Sequence, residues 1–159
     1  PHDKKALYIH LIDEKVINEA SQVIKDSAPD MSWVYLEYTD DMGHRYGDSP
    51  QLDTAIQMLD KQIEKLMQAV HYREQKFNEE WLVVITTDHG RDAVSAKNHG
   101  GQSDRERDTW IVMNQRPSHY VFENRTAIVD IFPTIANFLK IKLPAGVAKE
   151  LDGISLLDH

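Results

Sequence analysis

Residues 80–90 read EWLVVITTDHG. Apolar side chains run unbroken from Trp81 to Ile85, two threonines follow, and then come a carboxylate, an imidazole and a glycine. Such a run predicts a strand over 80–87 buried on both faces, as in the sheet of an α/β fold. Neighbouring residues on a regular strand point to opposite faces, so Asp88 and His89 serve one site only if the strand has already ended. Gly90 permits the turn this requires. A turn-forming Asp-His-Gly is a common strand ending. The apolar strand before it weighs toward function, because polar groups on a rigid element are already positioned.

Working outward, residues 13–26 carry Val16, Ile17, Ala20, Val23 and Ile24 at helical spacing, with Asp13 as a candidate cap and SAPD (27–30) as the stop. SWVYLEYT (32–39) alternates and is rich in aromatic and β-branched residues, which predicts a strand. Residues 51–76 form a long amphipathic pattern with Ser49-Pro50 at its entrance. DTWIVMNQ (108–115) predicts another strand. TAIVDIFPTIANFLKI (126–141) contains a helix starting near Asp130, with Pro133 in its first turn. The tail from Leu143 reads as loop. Strands alternating with helices predict a single α/β domain over 1–159 with a mainly parallel sheet flanked by helices. Ligands of such sheets bind beyond the carboxyl ends of the strands, and both DDMGH (40–44) and DHG (88–90) follow predicted strands.

A composition of 41% hydrophobic and 28% charged residues is that of a globular chain, and 159 residues suffice for one core. The net charge of −8 argues against a nucleic-acid-binding surface. No cysteine is present, so a metal here must be held by His, Asp, Glu or hydroxyls. No apolar run is long enough to span a bilayer. The start at PHDKKALYIH, without Met, suggests a fragment. Asn124-Arg125-Thr126 fits a glycosylation sequon, a short pattern that arises often by chance.

Asp40 and His44, four apart around Gly43, can reach one cation from a turn or a single helical turn. On this pentapeptide alone, a helix-capping Asp and a surface His explain the residues equally well. His99 precedes Gly100-Gly101, where the backbone can approach a ligand closely. Gln102, Ser103, Arg105 and Arg107 can bind an anion, though a solvated charged loop is the simpler account. His2, His10, His71, His119 and His159 have no carboxylate at ligand spacing and read as structural or surface residues. Two Asp and three His with no Cys favour zinc over calcium, which prefers an all-oxygen cage; Mn2+ is the less favoured alternative. Two metals together clamp the attacking and leaving oxygens of a phosphoryl group.

The order D-x-x-G-H (40–44), T-x-D-H-G (86–90), H-G-G (99–101) and then DIFPTIANFLKI…ELDGISL resembles the second half of an alkaline phosphatase superfamily enzyme, nearest the type I phosphodiesterase/nucleotide pyrophosphatase branch. The resemblance runs from about Trp33 to the end. It implies an alkaline-phosphatase-like sheet and two zinc ions per complete site. Asp40, His44 and His99 would hold one ion, Asp88 and His89 the other, with Asp41 outside the set. It also implies a Thr or Ser nucleophile and one further Asp upstream. Neither Asp3 nor Asp13 has the expected strand-end context, and no residue here matches the nucleophile. The chain thus reads as the C-terminal portion of a larger catalytic domain, inactive alone, acting on a small-molecule phosphate ester, with Gln102 and Arg105 as candidate substrate contacts. An extracytoplasmic setting (periplasmic, secreted or lipid-anchored) is implied as well. Other readings are a sulfatase-like enzyme, a phosphonoacetate hydrolase or a phosphomutase, and, from another class, a non-catalytic metal-binding or interaction module. A sheet lacking its first strands would expose an edge, predicting a homodimer through that edge or cover by the N-terminal helix.

Overall fold

A computed structural model describes residues 7–158; His2, Asp3 and His159 lie outside them. The chain forms two compact units. One takes in the residues up to Trp81 together with Arg91–Ser103, the other Leu82–Gly90 and the residues from Asp104 on.

The first unit is helical. α1 is Tyr8–Ser27, α2 Tyr38–Tyr46 and α3 Pro50–Phe77. The sequence predicts α3 almost to the residue. The Ser49 side chain accepts from Leu52 N at 3.3 Å, Pro50 fills the first helical position, and Asn78 ends the helix in a left-handed conformation. α1 starts earlier than expected, and Asp13 is not its cap. Asp13, Ile17, Ser21 and Ile24 form its buried stripe, packed along α3. Burial of a side chain such as Ile17, fully enclosed, is worth about 1.5–3 kcal/mol. Tyr38, Met42 and Ala55 make a core where α2 meets α3, with Leu7, Ile9, Leu52 and Met58 against it. Beyond α3, the Arg73 guanidinium donates to both Glu79 carboxylate oxygens and to Lys25 O, tying the end of α3 to that of α1.

The expected strand over 32–39 is absent. Residues 31–37 carry no regular structure, and Tyr38 and Thr39 already belong to α2. The alternation persists as burial, with Trp33 and Tyr35 exposed and Val34 and Leu36 half-buried. A strand also needs a ladder partner, and none faces this segment among the described residues. The helix begins where it does for a tertiary reason. Glu37, the residue before it, makes no side-chain cap. The buried Asp13 carboxylate instead accepts from Tyr38 N at 2.8 Å and from Glu37 N at 3.1 Å. One helix supplies the N-cap of the next.

The segment 91–99 is shaped by a second carboxylate. Asp92 accepts from Val94 N (2.9 Å), Ser95 N (2.6 Å), Ser95 Oγ (2.8 Å) and Asn98 N (2.9 Å), while its own N–H donates to Asn98 O at 2.8 Å. Donation by Ser95 N first, then by Asn98 N and the Ser95 hydroxyl, holds the Asp92 carboxyl far below the usual carboxylate range. The closed loop ends next to His99.

The second unit holds β1 Val84–Thr86, α4 Asp104–Arg107, β2 Ile111–Met113, α5 Tyr120–Glu123, α6 Ile131–Phe138 and α7 Ala145–Glu150. β1 and β2 lie within the predicted strands but pair antiparallel, Val84 opposite Met113 and Thr86 opposite Ile111. The mainly parallel sheet expected from the sequence is not among the described residues, where this is the one sheet. Parallel pairing needs a crossover, usually a helix, and the four-residue α4 is the only helix between these strands. Residues 81–87 are half-buried rather than enclosed on both faces, and Glu80 is exposed. Asn114 extends the ladder, its side chain accepting from Val83 N at 2.7 Å.

α6 follows a 3-10 turn, Ile128–Asp130, with Pro133 in its first turn as predicted. The tail is more ordered than its sequence suggests, for it contains α7 and is pinned to α6. Asp130, buried, accepts from Ala127 N at 2.8 Å and Ile154 N at 2.9 Å. Thr134 Oγ1 donates to Asp130 O and accepts from Leu156 N at 2.9 Å. Gly153 packs against the Val129 carbonyl with no room for a Cβ.

Asp13→Ala leaves the first N–H groups of α2 without their acceptor, and is expected to lower unfolding free energy by about 2–3 kcal/mol. Urea unfolding with an unchanged slope checks this; a loss under about 0.5 kcal/mol would show that α2 starts without Asp13. Asp92 supplies a pH test. Its folded pKa is depressed, so its stabilisation is fully present above the unfolded value near ~4 and is lost as pH falls through the folded pKa. The stability gap between the wild type and Asp92→Asn is therefore expected to be widest above about pH 4 and to narrow in more acidic solution, as followed by denaturant titrations across that range.

Candidate metal centre

On α2, Asp40 and His44 are one helical turn apart and share a face, the helical-turn option of the two that their spacing allows. Gly43 makes no turn; it lies inside the helix and is buried. His44 Nε2 is 3.3 Å from Asp40 Oδ2. His99, at the end of the Asp92 loop, brings its Nε2 to 3.0 Å from that of His44 and 3.8 Å from Asp40 Oδ1. One carboxylate and two imidazole nitrogens thus converge within the first unit. Ligands of a tetrahedral zinc at about 2.0–2.1 Å stand roughly 3.3 Å from one another, so this donor set fits a borderline divalent cation. Asp41 faces away and accepts from Arg45 Nε at 3.1 Å.

Sequence reasoning overlooked Arg91. Its guanidinium donates to the Asp40 carboxylate and, at 2.8 Å, to Asp40 O, and its other terminal nitrogen donates to Lys97 O at 3.3 Å. A Cβ on Gly43 would collide with that guanidinium. Nothing in the spacing of Arg91 announces this. The Asp13 cap, by contrast, had a signal: an acidic residue on the apolar stripe of α1, four before Ile17.

In the second unit, β1 ends at Thr86, so Asp88 and His89 do lie beyond the strand, and one site can use both. Thr86 Oγ1 donates to Trp110 O at 2.8 Å and Thr87 Oγ1 to His89 O at 3.0 Å, which fixes the turn. Gly90 N donates to Glu106 O at 2.8 Å, and the Arg105 carbonyl occupies the space a Cβ would need. His89 Nδ1 lies 2.8 Å from Gly90 O. A carbonyl can only accept, so Nδ1 carries a proton, and Nε2 lies 3.6 Å from Asp88 Oδ1. Metal-binding histidines are commonly oriented in this way. Gln102 and Arg105 are both exposed, Gln102 in the first unit and Arg105 in the second.

No helix among the described residues is long and apolar enough to cross a membrane. Two curated relatives come from Schizosaccharomyces pombe (strain 972 / ATCC 24843). GPI ethanolamine phosphate transferase 2 is 30% identical over 135 residues, 72% of this chain and 18% of the relative. GPI ethanolamine phosphate transferase 3 is 26% identical over 145 residues, 87% of this chain and 15% of the relative. The chain spans less than a fifth of either. No solved structure matches it. The family model for type I phosphodiesterase / nucleotide pyrophosphatase matches residues 2–153, nearly the whole chain, and the chain belongs to that family of enzymes, which generally use metal ions.

Proposed function

We propose that this chain is the C-terminal portion of a larger catalytic domain that cleaves phosphate esters with two bound zinc ions. Asp40, His44 and His99 hold one ion, and Asp88 and His89 contribute to the other. The observation that carries this reading is the convergence of Asp40, His44 and His99 within 3.0–3.8 Å from a helix and a loop, His44 and His99 being 55 residues apart in sequence. When bound, such ions act as Lewis acids that stabilise charge on the attacking and leaving oxygens of a phosphoryl group.

The chain's own residues position the reactants. α2 presents Asp40 and His44 on one face, and the Asp92 loop carries His99 to them. The Gly90 carbonyl fixes His89 through a hydrogen bond from Nδ1. The nucleophile and the remaining Asp ligand are assigned to residues upstream of these, and Gln102 and Arg105 to substrate contact. Hydrolysis and group transfer differ in the acceptor, water or a hydroxyl, and the same donor set serves both. The names of the relatives, ethanolamine phosphate transferases, favour transfer of a phosphate-bearing group over hydrolysis. The substrate is a small-molecule phosphodiester and the setting extracytoplasmic.

Zinc titration of the chain by calorimetry tests the reading. Asp40→Asn, His44→Ala and His99→Ala are each expected to weaken binding by more than the roughly 10–100-fold that an outer-shell substitution produces. Undiminished zinc affinity in these variants, or none in the wild type, would overturn the assignment. In the enzyme containing this chain, Asp88→Ala and His99→Ala should each abolish phosphodiester turnover, with a hydroxyl acceptor as with water.

A further inference from the structure

The Arg91 guanidinium is laid directly on a residue of the donor set, and the geometry points to a role for it beyond packing. We propose that Arg91 is a positioning residue: it clamps the Asp40 carboxylate in the orientation that faces His44 and His99, and so builds the site before a divalent cation arrives. The inference rests on the metal reading of Asp40, His44 and His99.

Three features carry it. The Arg91 side chain is 13% exposed, so its guanidinium is committed to protein partners rather than to water. Those partners lie on the two segments that must meet. Nη2 holds both the main-chain oxygen and the carboxylate of Asp40 on α2, and Nη1 holds Lys97 O, two residues before His99. A planar, multi-donor guanidinium can span such a set at once, whereas an ammonium is a point charge. The third feature is Gly43. Glycine weakens a helix interior, yet it stands in the middle of α2 where any Cβ would strike the Arg91 guanidinium. The helix gives up a better helix former so that Arg91 can lie across it.

A carboxylate has about four acceptor positions, so the Arg91 bond to Oδ1 does not exhaust it, and Oδ2 is the oxygen 3.3 Å from His44 Nε2. The guanidinium charge also offsets the carboxylate charge while the two imidazoles stand close by. Ligating carboxylates are usually oriented by such outer hydrogen bonds, and loss of one commonly weakens metal binding 10–100-fold.

The test uses the whole chain with Zn2+ for affinity and Co2+ for its d–d spectrum, which reads ligand geometry directly. Arg91→Gln is expected to bind either ion about 10–100-fold more weakly, with a weaker and shifted Co2+ band. Arg91→Lys should restore charge without restoring the band. Gly43→Ala is the sharper variant: a purely structural glycine would leave metal binding intact after this helix-favouring change, whereas displacement of the guanidinium predicts weaker binding and the same altered Co2+ spectrum. Circular dichroism and thermal midpoints accompany each variant. Wild-type affinity and spectrum in both Arg91→Gln and Gly43→Ala would overturn the proposal and leave the metal reading standing, provided Asp40→Asn still loses the ion. Binding lost only in step with folding in both variants would also overturn it, assigning Arg91 to the fold alone. Failure of the wild type to bind either ion would remove the metal reading and this inference together.

Discussion

The carboxylate of Asp13 fixes where α2 begins. It is buried on the inner stripe of α1, yet its acceptors are filled by the first N–H groups of α2 rather than by its own helix. A helix end needs acceptors for its free N–H groups, and a negative charge there is favoured by the helix dipole. Because Glu37 supplies no cap, the phase of α2 depends on α1. Asp40 and His44, one turn apart, share a face of that helix, while Met42, on another side, goes into the core with Tyr38 and Ala55.

The same economy recurs around the candidate metal centre. Arg91 joins Asp40 to the loop that carries His99, and Asp92, its neighbour, closes that loop on its own backbone. Adjacent residues of opposite charge thus do different jobs, one reaching outward to α2 and the other turning inward. In the second unit, Asp130 likewise ties the turn before α6 to Ile154 in the tail, and Gly153 is the residue that lets the tail come so close. The C-terminal motif that marks the family by sequence is, in this chain, a structural clasp.

Much of the candidate site was legible beforehand. Asp40, His44, Asp88, His89 and His99 were singled out by residue type and by glycine punctuation, and the structure brings the first, second and last of these together. The separation of Asp88 and His89 from the regular strand followed from the alternation rule alone. The element holding Asp40 and His44 was not legible. An aromatic, alternating stretch before them predicts a strand, and local propensity had no knowledge of a carboxylate twenty-five residues upstream waiting to cap a helix. The role of Gly43 was not legible for the same reason: the demand for space there comes from Arg91, distant in sequence.

The sequence by itself determined the family, the candidate donor residues, the long α3 with its Ser49-Pro50 entrance, and the exclusion of thiolate ligands. These rest on residue identity and short-range periodicity, which a linear chain carries in full. Only the tertiary structure decided that 38–46 is a helix, that β1 and β2 pair antiparallel, and that Arg91 holds the Asp40 carboxylate. Each of these turns on a hydrogen-bond partner far away in sequence, and an unpaired polar group carries no mark in the sequence of which distant residue will satisfy it.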